Sequence, residues 1–280
     1  MPNKSIITTQ VQKVNATNRT EANDFLAIEE PLEIQLAWKE DGASKQKSIS
    51  ITMRTPGHDV DLAIGFLFTE GIIQSPQQIT EAAHLPSFDP ATKENRILLV
   101  LDDKTQIDFK KLERHFYTSS SCGVCGKSSI EAVYASGIQP LKKGQPLFNQ
   151  QLIHQLPAKL REQQTIFEDT GGLHAAALFS PEGELLLLRE DVGRHNAVDK
   201  LIGAAIQNDP DILSQSMILV SGRASFELIQ KSLMAGIPLL AAVGAPSSLA
   251  IQMATDANMT VLGFVKNDRY NIYCHSERVV

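Results

Sequence analysis

The chain has 280 residues, of which 42% are hydrophobic and 21% charged, and a formal net charge of −6. This is ordinary for a globular protein and long enough for one large domain or two modest ones with a substantial core. The acidic balance argues against a general nucleic-acid binder, which needs a basic surface for phosphate, so any anionic ligand requires a local basic site.

Residues 1–25 are polar and lack periodicity, which reads as a flexible leader. Leu32 to Trp38 alternates as a half-buried strand does, Asp41-Gly42 is a turn, and Lys47 to Met53 is the second strand of a hairpin. Asp59 opens an apolar helix that Gly71 stops. Arg96 to Leu101 is a short apolar strand. This ββαβ order predicts a small α+β domain over 26–112, followed by a flexible loop and linker over 113–147. From 148 onwards, Gln150 to Gln164 has Leu152, Ile153, Leu156 and Leu160 on one helical face. Leu173 to Phe179 and Glu184 to Arg189 flank a turn at Ser180-Pro181-Glu182-Gly183. A helix over Asn196 to Ile206 precedes a βαβαβ run: strand Met217–Val220, helix Ala224–Ala235, strand Leu239–Val243, helix Ser247–Ala257 and strand Thr260–Val265. That alternation predicts an α/β domain over 148–280 whose sheet is mixed and largely parallel.

Ligands of open parallel sheets bind beyond the carboxyl ends of the strands. Three loops should gather there: Ser221-Gly222-Arg223, Gly244-Ala245-Pro246-Ser247, and Lys266-Asn267-Asp268-Arg269. Two of them open helices, whose free N–H groups favour anions, and Arg223, Lys266 and Arg269 add positive charge. A phosphate-bearing ligand fits this pattern; so do ordinary turn residues with solvated charges. The stretch from Arg189 to Asn196 is dense in ionisable groups around Gly193, with Asp199 and Lys200 one turn on. His195 suits an acid–base role or a plain helix start. His174, after Thr170-Gly171-Gly172, suits a ligand site or a structural hydrogen bond. No Walker A or GxGxxG pattern is present.

The remaining signal is sulfur. The chain has three cysteines, and two stand close together in Ser121-Cys122-Gly123-Val124-Cys125-Gly126. The first twenty residues lack the apolar run of a signal peptide, and the longest apolar stretch, Leu233 to Ala245, is too short and too broken to cross a bilayer. We therefore expect a cytoplasmic protein with no membrane partner, where thiols stay reduced and a CxxC is catalytic or metal-binding rather than structural. Cys122, Cys125, Cys274 and His275 would make a Cys₃His zinc set, although the adjacent second pair suits structural zinc poorly. His275-Ser276-Glu277 spells the H-x-E of zinc deaminases, but in reversed order and without their Pro-Cys. A thioredoxin-like site would need a strand and helix around the pair, where this chain has Ser and Gly. A sulfur carrier, holding sulfane sulfur as a persulfide on a flexible loop, matches the setting, with Lys127 nearby to favour the thiolate.

Taken together the motifs resemble one family, the formate dehydrogenase accessory sulfurtransferases (FdhD/NarQ). The resemblance rests on Arg54-Thr55-Pro56-Gly57, Ala63 to Ile73, Ser121 to Gly126, Thr170 to Ala176, Glu190 to Lys200, Ser221 to Glu227, and the Gly263-Phe264…Arg269…Asn271-Ile272-Tyr273 ending. It implies a cytidine-deaminase-like three-layer domain without the deaminase zinc set, and no permanently bound metal. It implies sulfurtransferase activity: a cysteine desulfurase loads a persulfide on Cys122, with Cys125 secondary. The sulfur then passes to molybdenum in the bis-(molybdopterin guanine dinucleotide) cofactor destined for formate dehydrogenase. Phe264, Val265, Lys266, Asn267, Asp268 and Arg269 would bind the guanine nucleotide end. Gly222, Arg223, Arg194, His195 and His174 are further candidate ligand residues. A homodimer is also implied. The alternative reading is a non-catalytic chaperone for the same cofactor. Lys266 and Gly244 depart from the family pattern, where Arg and Ser are common.

Overall fold

The computed structural model describes residues 5–86, 94–105 and 138–280. An antiparallel hairpin comes first, β1 (Ile6–Val14) and β2 (Arg19–Ala27). This corrects the expected flexible leader over 1–25: the strands are held by their ladder rather than by burial, so their composition stays polar. Next comes a four-stranded sheet in the order β4-β3-β6-β5, from β3 (Glu30–Glu40), β4 (Ala43–Arg54), β5 (Ile79–His84) and β6 (Arg96–Leu101). The β3–β4 turn works because Asp41 and Gly42 both adopt positive φ, 51° and 78°, as a twist-matched two-residue hairpin turn requires. Between β4 and β5 runs α1 (Asp59–Thr69), closed by Gly71 at φ 70° with Ile72 N donating to Leu67 O at 2.8 Å.

The anticipated single helix over 150–164 is two, α2 (Gln150–Ile153) and α3 (Leu156–Gln163), followed by α4 (Thr165–Thr170). Pro157, in the first turn of α3, has no N–H to continue the ladder from α2, yet the apolar stripe runs through the break. A six-stranded sheet completes the fold. It comprises β7 (His174–Phe179), β8 (Leu185–Asp191), β9 (Met217–Val220), β10 (Leu239–Ala242), β11 (Thr260–Lys266) and β12 (Arg269–Cys274), in the order β12-β11-β10-β9-β7-β8. Its helices are α5 (Arg194–Asn208), α6 (Asp211–Gln215), α7 (Phe226–Met234) and α8 (Ser248–Asp256). Only β9·β10 and β10·β11 pair in parallel; β7·β8, β7·β9 and β11·β12 are antiparallel. The sheet is thus mixed but not largely parallel, because β7 runs opposite to β9 and short turns add β8 and β12 as antiparallel edge strands.

Alternate residues of the six strands feed two cores. Ala176, Leu178, Ile218, Val220, Leu240 and Val261 face α1, α5 and α7. Ala177, Phe179, Leu219, Ala241 and Leu262 face Ile153, Leu156 and Leu160 of α2 and α3. The first core also takes Leu32, Ile34, Leu36 and Leu99 from the four-stranded sheet, so the two sequence-defined units share one apolar interior. Helices α1 and α5 meet backbone to backbone inside it. A Cβ on Gly65 would lie 1.9 Å from Asp199 O, and one on Gly203 would lie 1.9 Å from Asp61 O.

Candidate functional site: the carboxyl edge of the mixed sheet

Strands β9, β10 and β11 end at one edge, and β7, running the other way, begins there with His174. The loops leaving this edge are knitted together. Gly244 N donates to Gly222 O at 2.9 Å, Ala224 N to Ala245 O at 3.2 Å, and Phe264 N to Gly244 O at 3.1 Å. Ser221 Oγ accepts from Ala175 N at 2.9 Å. A Cβ at Gly244 would meet Arg223 Cγ and Gly222 O, each at 3.0 Å, so this chain's loops sit closer than a larger residue there allows. Beside them opens a cleft of about 1280 Å³, lined by His174, Ser221, Val243 and Asn267 from the strand ends and by Arg161 and Phe167 from the α3–α4 wall. The Arg161 guanidinium carbon stands 5.0 Å from the Phe167 ring centroid, a cation–π stack.

The charged run at the start of α5 splits into two populations. Glu190 accepts from Ile166 N and Phe167 N and so caps α4; burial pushes its carboxyl above the usual range. Asp191 is fully buried. It pairs with Lys200 Nζ at 2.6 Å and accepts from Thr55 N, Gly193 N and Asn196 Nδ2, while Lys200 also donates to Thr55 O at 2.8 Å. These residues fasten the Arg54-to-Gly57 segment to α5. Asp199 lies deeper, bridged to Lys231 Nζ at 2.9 Å, which also reaches Glu70 at 3.1 Å. Burial opposes the Lys231 charge, but those two carboxylates prevail and hold it protonated.

Arg194 and His195 belong to the other population. His195 Nε2 lies 3.5 Å from Ser225 Oγ and 3.8 Å from Glu227 Oε2. His174 stands against the Gly222 turn, where a Cβ would be 3.5 Å from its Nδ1. Burial pushes the His174 imidazole below its ordinary value, and the nearby charges of Arg194 and His195 push it further, against Asp191. Arg194 Nε is buried and has no hydrogen-bond partner among the described residues. Leaving such a donor unmade costs about 1–3 kcal/mol, so its position calls for an acceptor.

The segment from Phe264 to Arg269 lies at the rim. A bulge at Phe264, φ 54°, turns that ring outward to 41% exposure, while Val265 is fully buried in the second core. Val265 therefore offers a ligand no side chain. Lys266, Asn267, Asp268 and Arg269 are exposed around the β11–β12 turn, and Asn267 reaches the cleft. Gly222 and His174 are brought together; exposed Arg223 lays its stem on Gly244.

Cys122 and Cys125 lie outside the described residues. The described chain on either side of them is held as follows. Thr105 N and Oγ1 donate to Asp102 near Gly71, and Leu141 N donates to Ala257 O at 2.9 Å, close to the start of β11. Cys274 is half-buried, its Sγ donates to Met259 O at 3.2 Å, and burial pushes its thiol up, away from a reactive thiolate. His275 is occupied by Glu277 at 3.0 Å and Thr255 O at 2.9 Å. Among the described residues no group of three or more His, Cys, Asp or Glu could hold a metal ion, and no helix is long and apolar enough to cross a membrane.

The profile of the FdhD/NarQ family matches residues 27–280. The chain belongs to the FdhD/NarQ family. Among its relatives is the sulfur carrier protein FdhD of Streptomyces coelicolor, 46% identical over 259 residues, covering 91% of this chain and 89% of that one. Another is the sulfur carrier protein FdhD of Sulfolobus acidocaldarius, 38% identical over 270 residues and covering 96% and 97%. A crystal structure described as a putative formate dehydrogenase accessory protein from Desulfotalea psychrophila superposes with a TM-score of 0.76 at 23% identity, covering 99% of this chain and all of the other. That likeness establishes a shared mixed α/β fold. Within the family motifs, sequence reasoning passed over Ser225 and Glu227, which sit in the quoted Ser221 to Glu227 stretch but show their role only through His195. It also passed over the Arg161–Phe167 wall, which forms across the unforeseen α3–α4 junction at Gln164.

Proposed function

We propose that this protein is a sulfur carrier in formate dehydrogenase maturation, moving sulfane sulfur from a cysteine desulfurase to molybdenum in the bis-(molybdopterin guanine dinucleotide) cofactor, which is its acceptor substrate. The observation that carries the reading is family membership over residues 27–280, joined to the Cys122–Cys125 pair. The Cys122 thiolate attacks the terminal sulfur of the desulfurase persulfide. The donor S–S bond breaks, the desulfurase thiolate leaves, and Cys122 holds the persulfide. Delivery as sulfide needs two electrons, which Cys125 supplies by closing a disulfide with Cys122 as the sulfur departs. The acceptor's nucleotide end lies in the strand-end cleft, with exposed Phe264 offering a face for the base and Lys266 and Arg269 offering charge for phosphate. The cytidine-deaminase-like class of the larger unit, a homodimer and a cytoplasmic setting complete this reading.

Intact-mass spectrometry after incubation with a cysteine desulfurase and cysteine tests it. A reducible gain of one sulfur in the wild type, absent from Cys122→Ala, is expected. No gain in either, with a competent desulfurase, would refute the relay and leave an escort that binds the cofactor without handling sulfur.

A further inference from the structure

Arg278 is fully buried, and among the described residues no carboxylate forms an ion pair with it. Its guanidinium donates instead to oxygens of two other segments. Gln145 O at 3.0 Å and Lys142 O lie on one side, Asn258 O at 2.7 Å and Thr260 Oγ1 at 3.3 Å on the other. The backbone zips the tail to the same stretch: Phe148 N donates to Arg278 O at 2.7 Å, Val280 N to Phe148 O at 3.0 Å, and Gln150 N to Val280 O at 2.8 Å. Asn258, at φ 57°, completes the strap, its Nδ2 donating to Leu141 O at 3.1 Å while Leu141 N donates to Ala257 O at 2.9 Å. Leu141 to Phe148 is therefore pinned between the α8–β11 turn and the last residues of the chain. An apolar side chain of similar volume would fill the Arg278 space without desolvating a charge. What the guanidinium adds is direction, because its N–H donors lie in one rigid plane and fix two segments at once.

We propose that Arg278 is a positioning residue for sulfur delivery: its clasp on residues 141–148 sets the point from which the chain bearing Cys122 and Cys125 departs, relative to the acceptor cleft. The inference rests on the sulfur-carrier reading given above. Leu141 is held beside Ala257, just before β11 begins, and Asn267 of the cleft follows the end of β11, a strand of seven residues that separates the two by about 20 Å. From Cys125 to Leu141 the chain runs about sixteen residues, with a reach of at most about 55 Å, so the clasp leaves the cleft of the same chain within range. Releasing it moves the next fixed point to Gln150 and lengthens that run to about twenty-five residues. The effective concentration of a tethered group falls as about the −3/2 power of length, here about twofold, and lost aim adds to this. Transfer to a freely diffusing acceptor uses no such starting point.

The full chain is loaded with a desulfurase and cysteine, and its sulfur is then offered to two acceptors. Cyanide diffuses freely: it attacks the terminal sulfur, the S–S bond breaks, the Cys122 thiolate leaves and thiocyanate forms. The second acceptor is the molybdenum cofactor, read as the rate at which formate dehydrogenase gains activity. In Arg278→Met the rate and yield of thiocyanate should match wild type. Activation at saturating cofactor should slow by about two- to tenfold, with the half-saturating concentration unchanged. Arg278→Lys, which keeps the charge and three donors, should recover part of the loss. Asn258→Gly tolerates the positive φ and removes the bond to Leu141 O; it should slow activation in the same sense. Far-UV spectra and melting temperatures establish which variants fold, and Asn258→Gly carries the test if Arg278→Met does not. Activation equal to wild type in the folded variants overturns the positioning role while the carrier reading stands. So does a loss shared equally by thiocyanate formation and activation, the mark of a residue that only holds the fold. Wild type that yields no thiocyanate, with an active desulfurase, refutes the carrier reading and the inference with it.

Discussion

Gly65 and Gly203 make the α1–α5 crossing, and replacing either with Ala tests how tightly it is drawn. In Gly65→Ala the new methyl would lie 1.9 Å from Asp199 O and 2.9 Å from Gly203 N. Both obstacles are backbone, so no rotamer change relieves them and the helices must separate. Alanine brings about 1 kcal/mol of helix propensity. Overpacking a close-packed interior costs about 1–3 kcal/mol, occasionally more. Because α1 and α5 are wedged between two sheets and both obstacles are backbone, the clash should cost about 3–4 kcal/mol, above the usual overpacking range, so the net cost after the propensity gain should be about 2–3 kcal/mol. At about 2–4 °C per kcal/mol for domains approaching this size, the melting temperature should fall by about 5–10 °C. Thermal and urea unfolding followed by circular dichroism reads this, with Gly172→Ala as the reference, since its Cβ would find nothing closer than 3.9 Å. A Gly65→Ala protein as stable as wild type would refute the argument, because propensity alone would then outweigh the contact.

Lys200→Met strands the buried Asp191 carboxylate and should cost about 3–5 kcal/mol in urea unfolding; a loss under about 1 kcal/mol would contradict a closed pair at that depth. His174 titrates below its ordinary value in the folded chain, so the unfolded chain binds its proton first. Its contribution is therefore complete above the unfolded value of about 6.5 and is lost as pH falls through that value towards the folded one. His174→Asn should flatten the dependence of melting temperature on pH between about pH 7 and 5; parallel curves would show that other groups set the slope.

Much of the architecture was legible because burial writes itself into spacing. Leu32, Ile34 and Leu36 alternate as they do because one face of β3 is sealed, and Met217–Val220 is uniformly apolar because β9 is covered on both faces. Elements held by ladders rather than by burial left no such trace. β1 and β2 expose most of their side chains, and β12 is an edge strand with a mostly exposed pattern, so each looks polar and patternless in sequence. The site behaved similarly. Gathering the Ser221–Arg223, Gly244–Ser247 and Lys266–Arg269 loops at one edge followed from strand direction, whereas His174 joins them because β7 runs the other way. The division within Glu190 to Lys200 did not, since fastening carboxylates and a waiting guanidinium are equally charged on paper. Val265 was placed in the ligand segment by motif alone, and its side chain turns into the second core.

The single interior joining the first and second halves has a consequence for how such a chain can vary. Leu62, Leu67 and Ile97 on one side and Ile202, Ile229 and Leu233 on the other belong to one contiguous apolar mass. Neither half owns the complementary surface it needs, so their volumes are inherited as a matched set. Chimeras that exchange one half between relatives about 40% identical would unite interiors never fitted to each other. Recombination can move the two halves only as a pair.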